Sequence, residues 1–163
     1  MQFDLTSVFR DDKEIPVNLS LNPTDYDNLE SECYDGEISV VGSFKKLDGI
    51  VTLQAECRYK YSAPCDRCAA QVTKQYRVNI REKFTDKLEK EDNDDYILIP
   101  DMKACVDDIV VMSVLLSRPQ KYLCKENCKG LCSACGKNLN DGDCECTAPK
   151  KDSRWDVLSE LLK

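Results

Sequence analysis

The sequence predicts an α+β fold: an antiparallel β-sheet, open or barrel-like, with one or two helices and a C-terminal cysteine-rich segment that binds zinc. Two long runs alternate apolar and polar residues with the period of a half-buried strand. A third stretch repeats its apolar residues at helical spacing. Eleven cysteines are present, and most of them fall into closely spaced motifs.

Two short strands are predicted in the first third of the chain. The first contains Val17, Leu19 and Leu21, which alternate with polar residues. The second covers residues 37–44, where Ile38, Val40 and Phe44 share one face. A tight turn is predicted directly behind it, at Asp48-Gly49.

The clearest pattern is a pair of longer strands. In residues 51–61 the odd positions are apolar, whereas in residues 71–84 the even positions are apolar. If the chain turns back at the Cys65-Asp-Arg-Cys68 motif, both polar faces fall on the same side of the sheet. Glu56 then lies opposite Arg77, which is a favourable cross-strand pair. The pattern therefore predicts a hairpin with a Cys-x-x-Cys turn at its tip.

Three elements are predicted beyond the hairpin. Residues 86–95 are acidic and predict a loop, and residues 96–100 predict a short strand. Residues 106–116 predict a helix, which begins with acidic residues that complement its dipole and ends before a proline. The apolar face assigned to this helix comprises Ile109, Met112 and Leu116. A final helix, capped by Ser153, carries Trp155, Leu158, Leu161 and Leu162.

These elements predict two regions. Residues 1–117 form a sheet domain with the hairpin and one helix. Residues 118–163 form the zinc-stapled C-terminal segment, which ends in the short helix.

The composition excludes several classes of function. The chain has no histidine, which rules out Ser-His and Cys-His catalytic pairs and histidine-ligated metal sites. It has no apolar run long enough to span a membrane and no signal peptide at its N-terminus, so we expect it in the cytoplasm. Eleven cysteines in that compartment favour thiolate metal binding over disulfides.

The cysteine spacing predicts two metal sites. Tetrahedral zinc takes four ligands, and soft thiolates prefer zinc to hard cations. Eight motif cysteines therefore predict two Zn²⁺ ions. The motifs are Cys65-x-x-Cys68, Cys124-x3-Cys128, Cys132-x-x-Cys135 and Cys144-x-Cys146.

The ligands can be divided between the two sites by their distance along the chain. Cys132 and Cys135 with the Cys144–Cys146 pair form a self-contained site, because the Gly- and Asn-rich loop between them can turn back tightly. The remaining four cysteines then share the other ion and pin the C-terminal segment to the hairpin. An exchange of Cys128 with Cys132 between the sites remains open.

Other roles for the thiols compete with structural zinc. A redox Cys65-x-x-Cys68 is the main alternative, but such motifs usually lie at a helix N-terminus rather than in a hairpin. Iron–sulfur ligation fits the count and fits the paired spacing less well. Cys57 lies on the apolar face of its strand and is expected in the core.

The net charge of −7 limits nucleic-acid binding to a local patch. Residues 49–84 carry seven basic and three acidic residues, whereas residues 86–108 carry three basic and nine acidic ones. The polar face of the hairpin is therefore the candidate RNA surface, with a plain solvated sheet face as the alternative. Its basic residues are Arg58, Lys60, Arg77, Arg81 and Lys83.

Most of the chain resembles the YceD family of large ribosomal RNA subunit accumulation proteins. The resemblance rests on the motif Pro64-Cys-Asp-Arg-Cys68, on Leu116-Ser-Arg-Pro119, on the cysteine segment at residues 123–140 and on the ending Asp152-Ser-Arg-Trp-Asp-Val-Leu158. The family ending has proline where this chain has Ser153. The first site, at Cys65, Cys68, Cys124 and Cys128, is the more general one that the family motif implies.

The resemblance implies a non-enzymatic ribosome biogenesis factor for synthesis, processing or accumulation of 23S ribosomal RNA and for large-subunit assembly. The implied partners are ribosomal RNA, a large-subunit ribosomal protein, or both, with no membrane and no small-molecule substrate. The acidic residues 86–95 are a candidate contact for a basic ribosomal protein. The alternatives are a zinc-stapled protein–protein adaptor and a thiol oxidoreductase or zinc hydrolase.

Overall fold

The computed structural model describes residues 1–87 and 95–146, and it divides the chain into two compact units. The first unit contains Met1–Ala63 and Thr73–Gln120. The second contains Pro64–Val72 and the described residues from Lys121 onward. The predicted helix behind Ser153 and most of the predicted acidic loop lie outside the described residues. The predicted division after residue 117 stays a prediction.

The described residues form seven strands and two α-helices, with single turns of 3₁₀ helix between β2 and β3. In chain order they are β1 (Gln2–Asp4), α1 (Thr6–Asp11), β2 (Ile15–Leu21), β3 (Ile38–Leu47), β4 (Ile50–Pro64), β5 (Gln71–Thr85), β6 (Ile97–Leu98), β7 (Lys103–Cys105) and α2 (Val106–Leu116).

The main sheet has five strands in the order β2-β3-β4-β5-β6, and a two-stranded sheet joins β1 to β7. The pairs β2–β3, β3–β4 and β1–β7 are antiparallel, whereas the short β6 runs parallel to β5. The predicted α+β class is confirmed. Of the two forms considered, the sheet is open, because it ends in the separate edge strands β2 and β6.

The period-two pattern predicted the two faces of the hairpin correctly. The odd residues of β4 from Val51 to Ala63 are buried, and so are Ile80 and Phe84 of β5. These side chains join Phe44 of β3, whose ring lies 5.6 Å from that of Phe84, in the core of the first unit. The even residues of β4 from Gln54 onward face away from that core.

The predicted turn between β3 and β4 is also present. Asp48 and Gly49 both have positive φ, at 53° and 84°. Two successive positive φ values give the turn the twist that a tight hairpin between antiparallel strands requires.

The buried face of α2 differs from the predicted one. Val106, Val110 and Val114 are fully buried, whereas Met112 is 53% and Leu116 81% exposed. Apart from its first turn and Ser113, the helix is apolar at every position, so the spacing of apolar residues could not identify the inward face. The assignment of Met112 and Leu116 to the packed face was therefore wrong.

The sequence pattern did not predict β1, α1 or β7. The pairing of β1 with β7 joins Gln2 to Cys105, and the Leu5 N–H donates to the Met102 carbonyl at 2.8 Å. Elements of three to six residues carry too little periodicity to be detected, although Leu5 and Val8 are fully buried. Among the described residues, no helix has the length and apolar character needed to cross a membrane.

Candidate metal centres in the second unit

The first cysteine turn, Cys65–Cys68, is closed by two backbone hydrogen bonds. The Cys65 N–H donates to the Ala70 carbonyl and the Ala69 N–H donates to the Cys65 carbonyl, both at 2.8 Å. Ala69 has a positive φ of 56°, a conformation in which its Cβ is crowded. This bend turns the chain so that both cysteine sulfurs point to the same side.

The second turn, Cys132–Cys135, repeats this geometry. The Cys132 N–H donates to the Lys137 carbonyl at 2.8 Å, and the Gly136 N–H donates to the Cys132 carbonyl at 2.9 Å. Gly136, with a φ of 74°, occupies the position that Ala69 has in the first turn. The chain thus contains two cysteine turns of the same construction.

Four cysteines gather around the first turn and form cluster 1, which consists of Cys65, Cys68, Cys124 and Cys128. Their sulfurs all lie within 4.8 Å of one another. Three of the side chains are buried, with exposures of 3–6%, and Val72 and Leu123 pack against them. Its two cysteine pairs are more than fifty residues apart in the sequence, so this cluster joins distant parts of the chain.

Polar contacts attach the segment around Cys124 and Cys128 to the first turn. The Asp66 carboxylate accepts the Tyr122 N–H at 2.7 Å, and the Asp66 N–H donates to the Tyr122 carbonyl at 2.8 Å. The Arg67 guanidinium donates to the Cys128 carbonyl at 3.0 Å. The two variable residues of the Cys65-x-x-Cys68 motif therefore position the other half of the cluster.

Cluster 2 consists of Cys132, Cys135, Cys144 and Cys146, and its sulfurs also lie within 4.8 Å of one another. Cys135 and Cys146 are exposed, and the other two are half-buried. The loop between the pairs is held by the Lys137 ammonium, which donates to the Asp143 carbonyl at 2.9 Å. Cys135, Cys144 and Cys146 border a recess of about 430 Å³ that opens to solvent.

The hydrogen bonds around the sulfurs favour negative charge on the first cysteine of each turn. Burial alone would raise the pKa of Cys65, but N–H groups of Cys124, Arg67 and Cys68 donate to its sulfur and lower that pKa to about 6. Backbone N–H groups of Cys135 and Ala134 likewise lower the pKa of Cys132 to about 6.

The pKa values of three other cluster cysteines are shifted in different directions by their surroundings. The Asn140 side-chain amide donates to the Cys128 sulfur at 3.2 Å and lowers the pKa of Cys128. Burial raises the pKa of Cys124 to about 12, and the hydrogen bond with Cys135 raises the pKa of Cys146 to about 12. A cation among four such sulfurs would offset the charge that their crowding otherwise disfavours.

The donor sets fit a tetrahedral metal ion. Zinc–sulfur bonds of about 2.3 Å place neighbouring sulfurs about 3.8 Å apart in a tetrahedron. The sulfurs of Cys65 and Cys128 are 3.9 Å apart and those of Cys68 and Cys124 are 3.6 Å apart. In cluster 2 the Cys132 and Cys144 sulfurs are 3.3 Å apart. These separations are far above a disulfide bond, which is about 2.05 Å.

The structure therefore gathers the eight predicted ligands into two groups of four, with the division expected from their spacing. Cys57 is fully buried in the first unit, as expected, and burial raises its pKa to about 12. Cys33 and Cys105 are half-buried and lie outside both clusters. Metal binding by either cluster stays a prediction.

The five predicted RNA-binding residues, here called the basic face, lie on β4 and β5, and acidic neighbours contact several of them. Glu56 forms ion pairs with both Arg58 and Arg77, the latter at 3.6 Å. Lys60 lies 3.6 Å from the Asp35 carboxylate.

The other two residues of the basic face have different surroundings. The Lys83 ammonium lies 5.4 Å from the centre of the Tyr96 ring. Within the described ranges, Arg81 has no ion-pair partner, and it borders an open recess beside Tyr96. Glu82 and Asp95 line the same recess, so acidic side chains also lie near this end of the basic face.

Sequence reasoning missed several residues that support the clusters. Gly130 has a φ of 77°, and a Cβ added there would lie 3.0 Å from the Arg67 carbonyl oxygen. The Asn140 amide donates a hydrogen bond to the Cys128 sulfur. Asp66 and Arg67 form hydrogen bonds with the backbone of the segment that contains Cys128. The Gly, Asn and Asp content between the motifs was a signal for these turns, but which side chain binds which sulfur depends on the fold.

The fold and the two clusters define a class: an α+β protein whose second unit carries two tetracysteine candidate metal centres. A family model described as "Large ribosomal RNA subunit accumulation protein YceD" matches residues 53–162, more than half of the chain. The chain belongs to the YceD family, as its motifs indicated.

The match begins in β4 and includes α2 and all eight cluster cysteines, while β1, β2 and β3 lie before it. The family's name links the chain to accumulation of large-subunit ribosomal RNA. No curated protein matches the chain, and no solved structure matches it.

Proposed function

We propose that this protein is a zinc-binding, non-enzymatic ribosome biogenesis factor that acts in the cytoplasm of a bacterium. In this role it supports synthesis, processing or accumulation of 23S ribosomal RNA and assembly of the large ribosomal subunit. The observation that carries the proposal is the family match over residues 53–162, whose description names large-subunit ribosomal RNA accumulation.

The proposal includes one Zn²⁺ in each cluster. Four cysteine sulfurs within 4.8 Å of one another in each cluster support it, because soft thiolates select zinc over hard cations. Four protein ligands occupy every position of tetrahedral zinc and leave none for a reacting water. A purely structural ion fits this arrangement, whereas a zinc hydrolase would need an open position.

Elemental analysis of protein purified without added metal tests the zinc content. We expect close to two zinc ions per chain. A value of one or none, or bound iron, would contradict the two-site proposal. Iron in place of zinc would favour the iron–sulfur alternative.

The proposed RNA surface is the basic face, Arg58, Lys60, Arg77, Arg81 and Lys83. Its support is that these side chains project from neighbouring strands on the side of the sheet turned away from the core. Phosphate contacts require charge and reach but no particular base. The contacts of Glu56 with Arg58 and Arg77 weaken this support.

A charge-reversal pair tests the RNA surface. We expect Arg77→Glu/Arg81→Glu to lower binding of 23S ribosomal RNA about tenfold at moderate salt and to reduce the salt dependence of binding. The zinc content should not change. A matched control, Arg10→Glu/Lys13→Glu, changes the net charge equally at exposed residues in or after α1. Equal losses in both variants would mean that only total charge matters.

The biological role is tested by removing the gene from its host. We expect less 23S than 16S ribosomal RNA and a smaller large-subunit peak in sucrose gradients, both restored by the intact gene. If ribosomal RNA levels do not change, the assignment to ribosome biogenesis fails. If the defect is restored by Arg77→Glu/Arg81→Glu, the protein reaches the ribosome through a protein partner, which is the adaptor alternative.

A further inference from the structure

A single side chain of the second unit connects the two clusters. Asn140 lies in the loop between the two cysteine pairs of cluster 2, and its side-chain amide donates to the sulfur of Cys128, at 3.2 Å. Cys128 belongs to cluster 1, and only three residues separate it from Cys132 of cluster 2. A loop whose ends lie in cluster 2 therefore contacts a candidate ligand of cluster 1.

Every polar group of the Asn140 side chain has a partner. Its amide nitrogen donates to the Cys128 sulfur and also to the Asn138 side-chain oxygen at 2.8 Å. Its side-chain oxygen accepts the Lys129 N–H at 3.0 Å. Because a backbone N–H can only donate, the Lys129 contact fixes the oxygen on its own side and turns the nitrogen towards the sulfur.

Backbone contacts hold the loop of Asn140 against the segment between the clusters. The Leu139 N–H donates to the Gly130 carbonyl at 2.9 Å, and Leu131 forms an antiparallel bridge with Asn138. The ends of this loop are the two cysteine pairs of cluster 2. An ion in cluster 2 would join these ends and reduce the number of conformations open to the loop.

The segment between the clusters also contacts the first cysteine turn. The Leu131 N–H donates to the Arg67 carbonyl at 3.1 Å. Gly130 approaches the same carbonyl so closely that an added Cβ would lie 3.0 Å from its oxygen. Order in this segment therefore affects cluster 1 at two places, the first cysteine turn and Cys128.

We propose that Asn140 couples the two clusters, so that a metal ion in cluster 2 raises the affinity of cluster 1 for its own ion. This inference rests on the proposed zinc binding. With cluster 2 loaded, the loop holds the amide in place for the Cys128 thiolate before cluster 1 binds its ion. With cluster 2 empty, the loop is freer, and the entropy lost on ordering it opposes metal binding at cluster 1.

Asn140 acts here as a positioning residue and not as a metal ligand. An amide nitrogen has no lone pair available for a metal, and the side-chain oxygen already accepts the Lys129 N–H. A role confined to cluster 1 would make loss of the amide equally costly whether cluster 2 is loaded or empty. Coupling makes this cost depend on cluster 2, which a double-mutant cycle measures.

Zinc occupancy measured at individual cysteines tests the coupling. The reduced full-length protein is equilibrated with zinc that a competing chelator buffers, and a short pulse of N-ethylmaleimide then labels thiols that hold no metal. Peptide mass spectrometry reports cluster 1 through Cys65 and Cys68, and cluster 2 through its own cysteines. The metal-free protein defines full labelling.

The double-mutant cycle combines Asn140→Ala with loss of cluster 2. We expect Asn140→Ala to lower the zinc affinity of cluster 1 about fivefold, which is the effect of one hydrogen bond. Cys132→Ser/Cys135→Ser should lower it by a similar factor, although neither changed residue belongs to cluster 1. Adding Asn140→Ala to that variant should cost less than about twofold more. Asn140→Ala should still bind two zinc ions at saturating zinc, which shows that both clusters form.

A matched pair of variants separates the N–H donor from charge in the loop. Asn140→Asp turns an oxygen towards the Cys128 thiolate and should lower the affinity of cluster 1 at least about tenfold. Asn138→Asp adds the same charge two residues away but keeps the oxygen that accepts from Asn140, so it should cost less. Equal losses in the two variants would show that charge, and not the donor, controls the affinity.

Two further results would overturn the coupling. An equal cost of Asn140→Ala with and without cluster 2 would confine its role to cluster 1. An unchanged affinity of cluster 1 in Cys132→Ser/Cys135→Ser would show that the clusters bind independently. In both cases two zinc ions in the unaltered protein would leave the proposed function intact, whereas an unaltered protein without zinc would overturn the zinc proposal and the coupling together.

Discussion

Clusters 1 and 2 begin with the same cysteine turn and differ in what surrounds it. Both turns close with the same pair of backbone hydrogen bonds, and both hold four sulfurs within 4.8 Å of one another. Cluster 1 is buried and joins the hairpin tip to a segment more than fifty residues away. Cluster 2 is exposed and uses ligands from one short stretch.

The two clusters use the same set of four cysteine ligands in different ways. An ion in cluster 1 would close a long loop and take the place of a hydrophobic core that the second unit is too small to build. An ion in cluster 2 would fix a local loop whose ends are already close in sequence. The two clusters should therefore contribute unequally to stability and exchange their ions at different rates.

The largest expected effect comes from removing one pair of ligands at a time. Cys65→Ser/Cys68→Ser should lose the ion of cluster 1 and unfold residues 64–72 and 121–146, because a structural zinc site contributes on the order of 10 kcal/mol to folding. Cys132→Ser/Cys135→Ser should lose one zinc and keep the other. Zinc content and limited proteolysis of residues 118–163 measure both effects.

The sheet of the first unit is the internal control for this pair. It has its own core of Phe44, Leu53 and Phe84, so the hairpin should stay protected from protease in both variants. Unchanged protection of residues 118–163 in Cys65→Ser/Cys68→Ser would remove the distinction between the clusters.

Metal release should show the second difference. A chromogenic chelator added to the zinc-loaded protein should remove one ion at least about tenfold faster than the other, because exposed thiolates are open to ligand exchange. The fast ion belongs to cluster 2, where Cys135 and Cys146 are exposed. The absorbance of the chelator complex against time measures both phases.

The variant Cys132→Ser/Cys135→Ser serves as the control for metal release. It should show the slow phase alone. If the unaltered protein releases both ions in a single phase, the difference in burial does not control exchange. If the variant keeps the fast phase, the assignment of the labile ion to cluster 2 is wrong.

The sequence predicted those features that depend on local periods and spacings. The alternation in β4 and β5 fixed both faces of the hairpin, and the spacing of the cysteine motifs matched the two groups that the fold brings together. Such features need no knowledge of distant parts of the chain, since each strand face and each cysteine turn is formed by neighbouring residues.

The features that the sequence did not predict depend on tertiary packing. The β1–β7 pair joins residues about a hundred positions apart, and three-residue strands have no readable period. The inward face of α2 was ambiguous because Val110 and Met112 are both apolar. The sequence placed Arg58 and Arg77 together but could not show that the single carboxylate of Glu56 contacts both.

Gly130 and Gly136 both have a positive φ, but they differ in what a Cβ at each position would contact. Gly130→Ala should lower the stability of the zinc-loaded protein by about 2 kcal/mol, and Gly136→Ala by about 1 kcal/mol. At both positions alanine would be strained by the left-handed backbone. Of the two, only Gly130 would also place a Cβ against a backbone oxygen, that of Arg67 at 3.0 Å. Thermal unfolding at fixed free zinc measures the difference. Equal losses would show that the contact with Arg67 relaxes without cost.

The smallest effect concerns the position of positive φ that directly follows the second cysteine of each turn. Ala69 has a φ of 56° in the first turn, where the second turn has Gly136. Replacing Ala69 with glycine relieves about 1 kcal/mol of crowding at the Cβ, whereas the freer unfolded chain costs about 0.5–1 kcal/mol. The exposed Ala69 methyl contributes little packing, so Ala69→Gly should raise stability by a few tenths of a kcal/mol.

Ala69→Asn is the matched variant, because asparagine tolerates a positive φ without the entropy cost of glycine, and it should stabilise at least as much. Both variants are measured by thermal unfolding at the free zinc concentration used for Gly136→Ala. A loss of stability in both would mean that the first turn has adapted to alanine, and that the two turns share their hydrogen bonds but not their backbone energetics.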